Sequence, residues 1–141
     1  MVKKCSKKIV KTGVSFPSDL LKSFDKILKE IGIGSRSQGI QEAVRTFISV
    51  NIWKIKGEES VAGVILIHYS HDVKGLEEEL TDIQHDYVGI IPSTLHLHLS
   101  KEDCLQIITV RGNATIIKEL VDKIRSIRRL KQLLPVLITL R

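Results

Sequence analysis

Cysteine is scarce in this chain: its 141 residues hold two, Cys5 and Cys104, almost a full chain apart. A disulfide framework needs more, so the pattern fits a reducing compartment. No apolar run approaches the ~20 residues that span a bilayer. The opening MVKKCSKKIVK is basic but lacks the apolar stretch of a secretory signal. These absences predict a cytoplasmic protein with no membrane partner. There is no internal repeat and no low-complexity tract. There is also no nucleophile elbow or catalytic triad motif, so an enzyme is not expected.

What is present describes a folded chain. Hydrophobic residues make up 43% and the formal net charge is +6, enough apolar content for a real core. Much of the positive excess falls in the first eleven residues, at Lys3, Lys4, Lys7, Lys8 and Lys11. Such an arm either solubilises the chain or lies against phosphate, and composition does not choose between them.

The patterning predicts an α+β protein in two parts. Residues 1–53 read as basic arm, strand, helix, helix. IVKTGVSF alternates over 9–16, Pro17 and Ser18 stop it, and Pro17 opens a helix with Leu20, Leu21, Phe24, Ile27, Leu28 and Ile31 at helical spacing. Gly32 and Gly34 end that helix, and Ser35 or Ser37 caps the next, which carries Ile40, Ala43, Val44, Phe47 and Ile48. One short strand and two helices cannot bury such faces alone, and a lone strand has no partner for its backbone. An obligate dimer is expected, its strands paired antiparallel across a two-fold axis. Residues 54–60 are polar and read as a linker or hinge. Residues 61–141 follow the order βαββαβ, the ferredoxin-like unit, with a helix over 72–87, a strand over 88–100 and a second helix opened by Asn113, a good N-cap.

STLHLHLSKEDC, residues 93–104, is the most informative stretch. In a strand, alternate residues share a face. Leu95, Leu97 and Leu99 form the expected core face, and Thr94, His96 and His98 the opposite one. His96 and His98 stand roughly 6–7 Å apart along the strand, and the turn at 100–103 returns Cys104 alongside. Two imidazoles and a thiolate suit Ni(II), Cu(II) or Zn(II). A fourth ligand is sought in His85, with His68 and His71 as other candidates. The plain alternative is a set of polar residues on a sheet face, and a Cys–His nucleophile would need an orienting third group.

The first strand offers a second function. A paired β-ribbon fits the DNA major groove. With the apolar residues turned inward, Lys11, Gly13 and Ser15 share the outward face. Arg36, at the start of the second helix, is placed to approach phosphate. The alternative is a dimerisation module with an idle outer face.

These residues carry a resemblance. KTGVSFPSDLLKSFDKI and GSRSQGIQEAVRTFI resemble the ribbon-helix-helix domain of the NikR-type nickel-responsive regulators, and QHDYVGIIPSTLHLHLSKEDCL resembles the metal segment of their ACT-type domain. The resemblance implies one Ni(II) per subunit in planar coordination, held by His96, His98 and Cys104 of one chain and His85 of a neighbour. It implies a homotetramer, a dimer of dimers, that binds double-stranded operator DNA, has no small-molecule substrate and represses nickel-uptake genes. Tyr69 and His71 fall near the metal in relatives. Three positions depart from the family pattern. Gly13 offers no side chain to a base. Gln106 stands where the family has Glu. Gln38 and Glu42 occupy the positions of an additional cation site beside DNA. The readings set against this one are an ACT-domain metal sensor or buffer without DNA binding, and a metalloenzyme.

Overall fold

The computed structural model describes residues 9–140. Cys5 and the lysines at 3, 4, 7 and 8 lie outside the described residues. The chain divides into two compact units, Met1–Ala43 and Val44–Arg141.

In the first unit, residues 9–17 are exposed and form neither helix nor strand within the chain. Helix α1 (Ser18–Ile31) starts immediately after Pro17, whose carbonyl accepts from the Leu21 N–H at 3.0 Å, and ends at Gly32. Helix α2 (Arg36–Asn51) is capped by Ser35, whose hydroxyl accepts from the Gln38 N–H at 3.2 Å. The helices approach closely at Gly39. A Cβ there would sit 2.3 Å from a methyl of Leu28 and 3.0 Å from the Phe24 ring, so the Leu28 side chain would have to shift. Leu28 is buried by this contact, yet Val14, Leu20, Ile27 and Ile31 stay exposed. One copy of this segment therefore leaves most of its apolar face in water, as expected for so short a unit.

In the second unit, a 3₁₀ turn (Ile52–Ile55) places Trp53 fully in the core. Strand β1 (Ser60–Ser70), helix α3 (Leu76–Asp86), strands β2 (Ser93–His98) and β3 (Asp103–Asn113), helix α4 (Ala114–Arg125) and strand β4 (Leu130–Thr139) follow. The order βαββαβ is the one the hydrophobic pattern predicts. The sheet is four-stranded and antiparallel, in the order β2-β3-β1-β4. Both helices cover one face. Ile65, Ile67 and Tyr69 of β1 and Ile108 and Val110 of β3 meet Leu76, Leu80, Ile117, Leu120, Val121 and Ile124. Each such side chain contributes about 1.5–3 kcal/mol on burial. Asn113 caps α4 as its side chain predicts, accepting from the Thr115 N–H at 2.8 Å.

Three expectations need correction. The predicted helix over 72–87 begins only at Leu76, because Gly75 takes a left-handed conformation (φ 78°) that turns the chain into α3. The predicted strand over 88–100 begins at Ser93, after a 3₁₀ turn at Val88–Ile90 and Pro92. The polar segment 54–60 is not a free hinge. Glu59 O accepts from the Ala114 N–H (3.0 Å), Gly57 O accepts from the Thr115 N–H (3.1 Å), and Glu58 accepts from Asn113 Nδ2 (2.6 Å). It is laced onto the start of α4, where unpaired helix N–H groups need partners. Among the described residues, no helix is long and apolar enough to cross a membrane.

Candidate metal centre

Register assembles the site. On β2, His98 lies opposite Cys104 of β3, and Cys104 in turn lies opposite Tyr69 of β1; one row above, His96 lies opposite Gln106. Cys104, Gln106, Ile108 and Val110 form the buried, helix-covered side of β3. His96 and His98 therefore share the face that carries α3 and α4. Leu95 and Leu97 turn to the other face and remain 56% and 37% exposed. This reverses the assignment of the leucines to the core. The alternation separates histidines from leucines, as read, but it is the histidine face that meets the helices.

The predicted trio converges. One donor atom each from His96, His98 and Cys104 lies within 4.8 Å of the others. The His98 Nδ1 is 3.5 Å from the Cys104 sulfur, and the two imidazole rings are 4.8 Å apart. The rings are exposed, while the sulfur is fully buried. Burial pushes the Cys104 thiol up from its ordinary range, and the nearby carboxylates of Glu77 and Asp103 push the same way. A metal cation reverses that preference, since a coordinating thiol is deprotonated outright. Two nitrogens and a sulfur at coordination spacing fit a borderline cation such as Ni(II) and do not fit Mg(II) or Ca(II).

Glu77, in the first turn of α3, belongs to this site and was not singled out from sequence. Tyr69 donates its hydroxyl to Glu77 Oε1 at 3.2 Å and lies 3.3 Å from His96 Nε2; His71 Nδ1 lies 2.9 Å from the same Glu77 oxygen. The hydrogen bond from His71 holds the Glu77 carboxyl below the usual carboxylate range, against partial burial, with Tyr69 assisting. Burial, followed by the Glu77 charge, raises the Tyr69 phenol well above its ordinary value. The signal in sequence was three consecutive acids, Glu77, Glu78 and Glu79, which pattern alone cannot rank. Tyr69 and His71 thus sit beside the trio, with the His71 ring 5.9 Å from that of His98.

The other named residues separate. His68 projects to the opposite face of the sheet beside Leu105, its Nε2 3.2 Å from Asp103 Oδ1, and is no candidate for the fourth ligand in this chain. His85 is exposed on α3, outside the ligand groups of its own chain. It lines a cavity of about 320 Å³ with Gln84, Thr94 and Gln106. There Gln84 accepts from Thr94 Oγ1 (2.9 Å) and donates to Gln106 Oε1 (3.4 Å), linking α3 to both strands of the hairpin. In the first unit Lys11, Gly13 and Ser15 are exposed, and open space surrounds Gly13. Arg36 makes a forked pair with Asp25 (2.9 and 2.7 Å), which draws the Asp25 carboxyl below its usual range. Gln38 donates to Glu42 at 3.4 Å.

The sequence pattern of the NikR C-terminal nickel-binding domain matches residues 62–138, which include the convergent trio. The chain belongs to the NikR family. It is 48% identical over 121 residues to a protein of Dictyoglomus turgidum named "Putative nickel-responsive regulator", covering 86% of this chain and 89% of the relative. Relatives of the same name from Methanocella arvoryzae and Pyrococcus furiosus are 40% and 41% identical over 123 residues, each covering 87% of this chain and 88% of the relative. The family is one of nickel-responsive regulators and not of enzymes.

Proposed function

We propose that this chain is a nickel-gated transcriptional regulator that represses nickel-uptake genes. The observation that carries the reading is the convergence of His96, His98 and Cys104 on one side of a strand hairpin. His85 of a neighbouring chain would complete the set, so that one Ni(II) per subunit would be held between two polypeptides. Bound there, Ni(II) would supply a positive centre that favours the Cys104 thiolate, and the residues holding it would tie a helix of one chain to a hairpin of another.

The residues around that link do the rest. Gln84, next to His85, reaches Thr94 and Gln106, so α3 and the hairpin respond together to the position of His85. Two chains pair through residues 9–16 and cover the apolar faces of α1 and α2. Two such dimers meet through the second units as a homotetramer. This assembly is supported by the uncovered face of the sheet, where Leu95, Leu97, Leu134, Val136 and Ile138 stay exposed in one chain. Lys11, Gly13 and Ser15 present the outer side of the paired ribbon to operator DNA, with Arg36 beside phosphate. A ligand shifts an equilibrium only by its differential affinity for the two states. A ligand set split between chains provides that difference, because only one relative orientation of the chains brings His85 to the trio.

The test is a nickel titration of the full-length protein, read by absorbance and by binding to DNA from upstream of a nickel-transporter operon. Tight DNA binding is expected only after one equivalent per chain. Equal DNA affinity with and without nickel would sink the gating; nickel uptake with no DNA binding would make the protein a metal sensor or buffer.

A further inference from the structure

We infer that Glu77 is a positioning residue that sets the tautomer of His96, and thereby which ring nitrogen His96 offers to a metal. The inference rests on the reading of His96 as a ligand and adds the group that prepares it.

Three polar groups approach one carboxylate oxygen. Glu77 Oε1 lies 2.9 Å from His71 Nδ1, 3.2 Å from the Tyr69 hydroxyl and 3.8 Å from His96 Nε2. An ionised carboxylate has no proton to give and only accepts. The Tyr69 hydroxyl has one proton and two possible acceptors, Glu77 at 3.2 Å and His96 Nε2 at 3.3 Å. A hydrogen bond to an ionised acceptor is about twice as strong as one between neutral groups, so the proton goes to Glu77. The Tyr69 oxygen can then only accept from His96. Tyr69 is 1% exposed, so water does not supply an alternative.

The consequence falls on His96. A bare lone pair at Nε2 would face the phenol oxygen and, a little farther off, the carboxylate oxygen. An N–H at Nε2 is attracted to both. A neutral imidazole carries a single N–H, so Nδ1 is left with the free pair. His71 is set by the same carboxylate, donating from Nδ1 and keeping its pair on Nε2. Glu77 also lies within 4.8 Å, donor atom to donor atom, of His71 and Cys104, but in this scheme its role is to orient and not to bind. It acts through Tyr69, in the way that outer carboxylates and carbonyls fix the tautomer of ligating histidines elsewhere.

The experiment uses full-length, metal-free protein labelled with ¹⁵N-histidine, the two imidazole nitrogens of each ring being distinguished by long-range ¹H–¹⁵N correlation. In the unsubstituted protein His96 should be protonated at Nε2 and free at Nδ1. In Glu77→Ala the Tyr69 proton is released toward His96, and the Nδ1–H form should become the major one; Tyr69→Phe added to Glu77→Ala should cause no further loss of nickel affinity. Glu77→Gln, which keeps the shape of the side chain, serves if the alanine variant does not fold and should give a mixture of tautomers. Where the metal-ready form drops to about a tenth of the population, nickel should bind about tenfold more weakly. An unchanged His96 tautomer in folded Glu77→Ala or Glu77→Gln overturns the inference and leaves the nickel site standing. Failure of nickel to bind the unsubstituted protein overturns the ligand reading without moving the tautomer result.

Discussion

Val136→Lys probes the proposed assembly without touching the proposed metal ligands. Val136 lies on β4, opposite Val64, on the sheet face that α3 and α4 leave uncovered. In one chain Leu95, Leu97, Leu134, Val136 and Ile138 are between 37% and 65% exposed. Roughly half of each side chain's transfer free energy is thus still available, about 1 kcal/mol apiece on a scale of about 1.5–3 for full burial. Two such faces meeting gain about 10 kcal/mol, which lies within the range of the ~4–15 kcal/mol cost of association. A lysine at 136 reaches water in an isolated chain, where the change costs at most about 1 kcal/mol. Inside an isologous contact it places two unpaired ammonium groups, at about 3–5 kcal/mol each. That is enough to weaken the contact by at least about four decades. Sedimentation velocity at micromolar concentration should show the tetramer replaced by dimers, with the far-ultraviolet circular dichroism of the folded chain retained. A variant that stays fully tetrameric would refute the assignment of this face to a subunit contact.

Other substitutions address other links of the argument. Cys104→Ser should abolish the sulfur-to-nickel charge-transfer absorption while leaving nitrogen ligands in place; an unchanged spectrum in a nickel titration would remove Cys104 from the set. Asp25 carries a carboxyl pKa drawn down by Arg36, so it binds fewer protons folded than unfolded. The stability it contributes is present above about pH 4, its unfolded range, and is lost as pH falls through the lowered folded value. Asp25→Asn should flatten that acid limb in thermal melts recorded between about pH 5 and pH 2. Leu120, fully buried between α4 and the sheet, should cost about 2–5 kcal/mol when changed to Ala, read as a fall in the urea midpoint with little change in slope.

Local signals in the sequence carried the elements well. Helical spacing located α1, α2 and α4, and the Asn113 cap and the Gly32 stop act where their chemistry requires. The hairpin that brings Cys104 beside His96 and His98 also followed from a two-residue period and a short turn. What alternation could not supply was a choice of face. Leu95 and Leu97 are apolar and were given to the core, but the sheet has two sides, and only tertiary placement of α3 and α4 decides which one is covered within the chain. Glu77 was hidden for a similar reason, since Glu77, Glu78 and Glu79 are equivalent in pattern and differ only in what lies beneath them. The polar segment at 54–60 misled because its order comes from backbone groups bound to the start of α4, which composition does not report.

The position of β2 at the margin of the sheet has a mechanical consequence. It is hydrogen-bonded to β3 alone, whereas β3 is braced on both sides. The sulfur is thus anchored on a strand braced on both sides, and the two imidazoles ride on an edge strand held by one ladder, like the two unequal jaws of a vice. On the proposed metal reading, a small adjustment in the spacing of nitrogen to sulfur would strain a single ladder of bonds while the packed core keeps its shape.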